Sequence, residues 1–279
     1  MKKMLVSAVI GMLAVGGYHA QADGEVYSSN IVGFVNLDVP SGISMIAPAF
    51  TTNGTGTNDA TLTLDQVLGL ATNNNLRANR LQNLADKVYI YDNSISDYHY
   101  GWLYGGTGNS SLFYHWTWRN PGSGSDELCS STNIFDVRPG RSFWLQHTLA
   151  TDTNTFLTGE VPDAPSITRE IKGRTINQLS NPYPVATTLD ALINTNTAGV
   201  NKSNVRNLAD NVYIYAGSGN YLECWIRASG QWYYDTDGHN HLATCSTNEL
   251  FTILPGEGFW YQAKSATNFN WTVTKPSTY

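Results

Sequence analysis

Leu84–Asp92 reads LADKVYIYD, and Leu208–Ala216 reads LADNVYIYA; seven of the nine residues are identical across an offset of 124 positions. Within the first stretch Val88 and Ile90 fall on one face and Tyr89 and Tyr91 on the other. β-Branched and aromatic residues alternating with a period of two predict a half-buried strand. The match continues outward. TLDQVL (Thr63–Leu68) returns as TLDALI (Thr188–Ile193), and CSSTNIFDVRPGRSFWLQ (Cys129–Gln146) returns as CSTNELFTILPGEGFWYQ (Cys245–Gln262). The offset falls from 124 to 116 because the first copy carries a longer middle stretch that includes RNPGSGSDEL, Arg119–Leu128. Insertions of this kind belong in surface loops, so the chain reads as one unit written twice.

Local signals agree between the copies. Leu64, Val67, Leu68 and Ala71 stand at helical spacing, as do Leu189, Leu192 and Ile193. Thr63 and Thr188 suit N-caps, with Asp65 and Asp190 in the first turn. Pro139-Gly140 and Pro255-Gly256 suit the centre of a type II turn, where proline presets one φ and glycine accepts the positive φ that follows. SFWLQ and GFWYQ then read as strands, and YGWLY, FYHWTW, ECWI and QWYYD supply more between Gly- and Asn-rich turns. The fold class expected is mainly β: two tandem homologous antiparallel domains, sandwich or barrel-like, each with one short helix. The divisions expected are residues 1–22 as a signal peptide, 23–41 as an N-terminal strand segment outside the copies, 42–160 and 174–279 as the two domains, and 161–173 as a linker. Pro162 and Pro165 make that linker extended and stiff.

Residues 1–22 carry Lys2 and Lys3, an apolar run from Met4 to Gly17, and Ala20-Gln21-Ala22 at the end. That is the pattern of a secretory signal peptide, and the run is shorter than the roughly 20 residues of a membrane span. Its removal leaves 257 residues and, because it holds two Lys and no acid, takes the formal net charge from −6 to −8. An acidic surface repels phosphate backbones and anionic lipid, so neither nucleic acid nor a membrane surface is an expected partner, and the mature chain has no expected transmembrane span. The expected location is secreted, periplasmic or at the cell surface. Aromatic residues at 12% argue against a disordered chain. Export permits a disulfide, and of Cys129, Cys224 and Cys245 the local pair Cys224–Cys245 is the candidate, against three buried thiols or a Cys129 paired between molecules.

VYSSNIVGFVNLDVPSGISMIA (Val26–Ala47), QLSNPYP (Gln178–Pro184) and both PGxxFW elements resemble a set of uncharacterised secreted bacterial repeat proteins. These open on a VYSxNxVGY-like strand and carry PGxGFW-type strands. This chain departs from their pattern at Ala47-Pro48, which lacks an Asn, and at Ser142, which replaces a Gly. The resemblance implies a secreted repeat architecture and brings no active site with it.

Three kinds of chemistry would leave a signature in the residues. No G-x-S-x-G element occurs. Asp235, Asp237, His239 and His241 stand at alternate positions and would share a face of an extended segment, a weak metal candidate whose bland alternative is a solvated hairpin tip. Acid pairs for glycoside cleavage could be drawn from Asp97, Asp126, Glu127, Glu223 and Asp235, none in a recognisable setting. Asp86 and Asp210 recur in LAD, where an Asp before a strand most often accepts backbone N–H bonds. Catalytic residues and cofactors are therefore assigned as none. The sharper idea is a sugar platform: Trp144 with Gln146, and Trp260 with Gln262, each pair on one strand face, against the alternative that these rings pack inside.

The reading that follows is an exported, non-catalytic, tandem-repeat β protein serving as a cell-surface or extracellular structural and adhesive component. One alternative is a polysaccharide-binding protein acting through Trp144 and Trp260; another is a secreted hydrolase. Partners would be polysaccharide or envelope components, with self-association through strand addition as a further option.

Overall fold

The computed structural model describes residues 32–51, 62–69, 75–105, 114–129, 135, 137–217, 219–236 and 242–277. The signal peptide reading of residues 1–22 lies outside the described residues, as do Asp237, His239 and His241 of the metal candidate.

The first half holds β1 (Val32–Val39), β2 (Gly42–Ile46), β3 (Lys87–Asp92), β4 (Asp97–Leu103), β5 (Trp116–Arg119), β6 (Asp126–Leu128), β7 (Phe143–His147) and β8 (Thr153–Glu160). Helix α1 (Leu64–Leu68) lies between β2 and β3. The second half holds β9 (Ser166–Ile171), β10 (Ile176–Ser180), β11 (Thr187–Thr188), β12 (Asn211–Gly217), β13 (Asn220–Ile226), β14 (Trp232–Asp235), β15 (Leu242–Thr244), β16 (Thr252–Ile253), β17 (Gly258–Gln262) and β18 (Phe269–Thr274). Helix α2 (Leu189–Leu192) follows β11.

Two six-stranded antiparallel sheets result, in the orders β2-β7-β3-β4-β5-β6 and β10-β17-β12-β13-β14-β15. Setting β2 on β10, β7 on β17 and β3 on β12 turns one order into the other, so the chain contains two similar β domains. Neither sheet closes into a barrel. Each is covered on one face by a two-stranded ribbon, β1 with β8 in the first half and β9 with β18 in the second. Val35, Val39 and Leu157 of the first ribbon join Ile46, Leu64, Leu68, Val88, Phe143 and Leu145 in one core. Ile167, Ile171, Trp271 and Val273 do the same with Leu189, Val212, Phe259 and Tyr261 in the other.

The ribbons correct two expected divisions. Residues 23–41 read from sequence as a strand outside the copies that pairs with one of them or bridges both; β1 pairs along its whole length with β8 of the first copy, Val39 opposite Thr153 and Gly33 opposite Gly159, and so belongs to that half. Residues 161–173 read as a connector, yet they contain β9, paired with β18 from Ser166–Thr274 to Ile171–Phe269. The two prolines end before β9 begins, and Ile167, Arg169 and Ile171 alternate buried with exposed Ser166, Thr168 and Glu170. The ribbon strand is thus the first element of each half.

Local chemistry explains the short helices. The Thr63 side chain accepts the Gln66 N–H while Gln66 Oε1 accepts the Thr63 N–H, a capping box; Thr188 caps α2 through the Ala191 N–H. Asp65 then accepts the Trp116 N–H and contacts His115 Nδ1 at 3.0 Å. Asp190 makes the matching bond to Trp232 N–H, with the Ser246 hydroxyl beside it; burial raises its pKa and these bonds oppose the rise.

Candidate functional site

The repeated aromatic faces meet at a seam between the sheets. On β3, Val88 and Ile90 turn to the core, which leaves Tyr89 and Tyr91 for the opposite face. Tyr98 and Tyr100 of β4 stand opposite Tyr91 and Tyr89 in register. On β7, Phe143 and Leu145 enter the core, so Trp144 and Gln146 face the seam. The second sheet presents Tyr213, Tyr215, Trp260 and Gln262 in the same way.

The seam is close to two-fold symmetric within one chain. Trp144 packs on its counterpart Trp260, ring centroids 6.2 Å apart. Tyr91 packs on Trp260 at 5.8 Å, and its counterpart Tyr215 packs on Trp144 at 5.1 Å. The backbone follows the same rule. Ile46 bridges Glu257, and at the matching place Leu179 bridges Arg141. Ala47 N–H donates to Gly256 O at 2.8 Å, and Ser180 N–H donates to Gly140 O at 3.4 Å. Each Pro-Gly turn therefore delivers a carbonyl to the sheet edge of the other half. The Leu37 side chain covers Gly256, and Arg169, at the matching place on the second ribbon, covers Gly140 and donates from Nε to Pro139 O at 2.9 Å. Such reciprocity of equivalent residues is the signature of an isologous interface.

Both turns call for glycine, and Gly256 on two counts. Gly140 and Gly256 have φ of 89° and 84°, in the left-handed region that side chains disfavour, and a Cβ at Gly256 would lie 2.6 Å from Leu37 Cδ2. Gly258 meets its own counterpart: a Cβ there would lie 2.3 Å from Ser142 Cβ. Ser142 thus has a Gly across from it to make room.

The platform residues are held from within. Trp144 is 4% exposed, and its Nε1 donates to Tyr98 Oη at 3.2 Å. Trp260 is half-buried against Tyr91, Tyr98 and Trp144. Gln146 Oε1 accepts the Tyr89 hydroxyl at 2.7 Å, and Gln262 Oε1 accepts Tyr213 Oη and Lys264 Nζ at 3.3 and 2.8 Å. Of the two readings of the Trp–Gln pairs, a sugar platform or packing inside, Trp144 takes the packed one, because the second sheet covers it. Gln178 Oε1 crosses the seam to accept the Tyr91 N–H at 2.8 Å. Burial pushes the Tyr98 phenol up to about 12, against the lowering effect of the Trp144 hydrogen bond. Tyr98 therefore stays neutral and serves as an acceptor. Two rings beside the seam remain exposed: Tyr100 at 41% and Tyr221 at 47%. Sequence reasoning did not single these out, although Tyr100 is the polar-face partner of Tyr89.

The other sequence candidates are engaged structurally. Asp86 is fully buried; its Oδ2 accepts the Arg77 N–H at 2.8 Å and its Oδ1 the Thr148 N–H at 2.8 Å. Asp210 accepts the matching Asn201 and Lys264 N–H groups at 2.9 and 2.6 Å. Burial raises the Asp210 pKa, and the bonds from Lys264, Tyr261 and Asn201 pull it back. Asp126 pairs with Arg119 at 3.2 Å, Glu127 accepts from Asn120 Nδ2 and Ser123 Oγ, and Glu223 pairs with Arg206. Asp97 Oδ1 accepts the Tyr98 N–H at 2.7 Å. Among the described residues no group of three or more His, Cys, Asp and Glu is placed to hold a metal ion. An apolar cleft of about 230 Å³ between α1 and β8 is lined by Pro48, Phe50, Leu62, Val67 and Leu157; its polar side chains are Thr51, Gln66 and Thr158, which do not supply an acid or base. No described helix is long and apolar enough to cross a membrane. The three cysteines are buried and unbridged in this structure, Cys129 in the first core and Cys224 with Cys245 in the second.

No protein-family model matches the chain, and neither a curated protein nor a solved structure matches it.

Proposed function

We propose that the chain is an exported, non-catalytic structural and adhesive component of the cell surface or extracellular space, derived by tandem copying of one β unit. The observation that carries this reading is the reciprocal seam. The aromatic faces written into both copies are spent on each other, which supports a rigid two-domain body acting through its outer surface rather than a pair of open ligand sites. The repeated acids likewise hold loops to strands. The resemblance to secreted repeat proteins and the pattern of residues 1–22 support export.

A second reading, polysaccharide binding, is favoured by one observation. Tyr100 and Tyr221 expose their rings beside the seam, and Gln82 Oε1 accepts the Tyr100 hydroxyl at 3.1 Å, which orients that ring toward solvent. Rigid, half-exposed tyrosines are good stacking surfaces at low entropic cost.

Two assays decide between them. Cells expressing the full chain are fractionated, and the purified chain is passed over insoluble polysaccharides beside a Tyr100→Ala/Tyr221→Ala variant. The structural reading expects the chain outside the cytoplasm and equal, background retention of both proteins. Retention of the parent that the variant loses would replace it with the polysaccharide reading. A chain confined to the cytoplasm would refute both.

A further inference from the structure

We propose that Cys224 and Cys245 are joined by a disulfide in the working protein and that Cys129 remains a single thiol. Three observations carry this. Cys224 lies at the centre of β13, opposite Val212 of β12, and Cys245 opens the 3₁₀ turn that follows β15. Both side chains are at most 2% exposed and belong to the second core. A disulfide needs side chains already directed at each other, and Cys224 and Cys245 enter the same core from β13 and from the turn that follows β15.

The first half supplies an independent measure of the same site. Gly101 stands opposite Val88 as Cys224 stands opposite Val212, and Cys129 matches Cys245. A Cβ built on Gly101 would lie 2.5 Å from Cys129 Sγ. The scaffold therefore brings the sulfur of the later cysteine onto the carbon from which the earlier cysteine's sulfur hangs. In the first half that contact is relieved by a glycine, and in the second it is made by a second cysteine. Cys129 belongs to the other core, so it cannot compete for either partner.

The step is an oxidation. Each thiol gives up one proton and one electron, the Sγ–Sγ bond forms, and a disulfide donor such as oxidised glutathione is reduced to two thiols. Exchange runs through a thiolate. Burial disfavours that form for Cys224 and Cys129 in the folded chain, so the bond closes during folding, before the core seals. In the cell the donor belongs to an oxidising compartment, so that part rests on the export reading; refolding in vitro tests the geometry alone.

The test refolds the full chain in a glutathione redox buffer, alkylates it, digests it and maps the peptides by mass. The expected result is a linked pair containing Cys224 and Cys245, two hydrogens lighter than the separate peptides, with Cys129 alkylated. A Cys129→Ser variant keeps the link, and its reduction lowers Tm by on the order of 10 °C; a Cys224→Ser variant loses the link and the reductant sensitivity. Three alkylated cysteines after refolding, or any peptide linked through Cys129, would overturn the proposal. Chain recovered from outside the cytoplasm with Cys224 alkylated would overturn it for the cell and leave export standing, whereas chain recovered reduced from the cytoplasm would remove both.

Discussion

Trp144 and Trp260 occupy matching places on β7 and β17 and meet ring to ring across the seam, centroids 6.2 Å apart and planes inclined at 50°. Each ring is the other's neighbour and also the neighbour of the other half's tyrosine, so the two domains are joined by residues that both halves encode. A union of this kind ties the pair together through matched residues, because the ring contacts and the turn-to-edge bridges made by one half are returned by their counterparts.

Removing one ring leaves a hole bounded by the other. Trp144→Ala is expected to destabilise the chain by about 3–5 kcal/mol. Because the rings share one contact, the Trp144→Ala/Trp260→Ala double variant is expected to fall short of the sum of the singles by about 0.5–1.5 kcal/mol. Urea denaturation of the four proteins measures this. Strict additivity would mean that the rings do not act as a pair.

Much of this architecture is legible in the residues, and the parts that are not have physical reasons. The alternation of Val88 and Ile90 with Tyr89 and Tyr91, the caps Thr63 and Thr188, and the positive φ of Gly140 and Gly256 all follow from local rules, and local rules act within a few residues. Which face of FWLQ meets water is not local. Phe143, Trp144 and Leu145 are all apolar, so both faces of β7 ask for cover, and only the other sheet decides that Trp144 receives it. Pro162 and Pro165 mask β9, because their signal for an extended connector fits a ribbon strand's approach equally well. Its buried Arg169 further disguises the alternation, since that charge is accommodated by the Pro139 carbonyl of the other half, which no local window contains. Tyr100 and Tyr221 carry no local mark, because exposure of a tyrosine is set by what the neighbouring sheet leaves uncovered.

The two buried aspartates reach the same end by different partners. His147 Nδ1 lies 2.8 Å from Asp86 Oδ2, whereas Tyr261 donates to Asp210 Oδ2 at 2.7 Å. His147 matches Ala263 and Tyr261 matches Leu145, so the donor has moved by two residues along the same strand face. His147→Ala is expected to cost about 2–4 kcal/mol, from the lost donor and the cavity together. Adding Leu145→Tyr should restore at least about 1 kcal/mol by supplying the hydroxyl from the second-half position. Urea midpoints compare the three variants with the parent; a double variant weaker than His147→Ala would show that the two arrangements are not interchangeable.

Glu257 stands where the second half's Pro-Gly turn meets Ile46 of the first, and burial raises its pKa against the opposing bond from the Leu254 N–H. A carboxyl with a raised folded-state pKa favours the folded chain most while protonated. Its contribution is therefore full below the ordinary glutamate range and is lost as pH rises through the raised value. Glu257→Gln keeps an acceptor for Leu254 and removes the charge. The variant is expected to be more stable than the parent at pH 7, with the difference shrinking as pH falls toward about 4, the ordinary glutamate range. Thermal melts across that range give the difference curve; a gap that widened on acidification would reverse the assignment.

The first half should accept the bond proposed for the second. Gly101 sits under Cys129 with 2.5 Å between the Cβ it lacks and that sulfur, so any side chain there that cannot bond to sulfur must push it away. Gly101→Ala is expected to destabilise by about 1–3 kcal/mol through this overpacking. Gly101→Cys replaces the repulsive contact with a covalent one. Refolded with oxidised glutathione, that variant should form a disulfide between the introduced thiol and Cys129. It should then be more stable than its own reduced form by roughly 2–4 kcal/mol, the usual range for closing a loop of this length. Peptide mapping with and without reductant, beside melts of both forms, makes the comparison. A Gly101→Cys chain that stays reduced, or that melts below Gly101→Ala when oxidised, would show that the matching strands of the two halves do not place these positions alike.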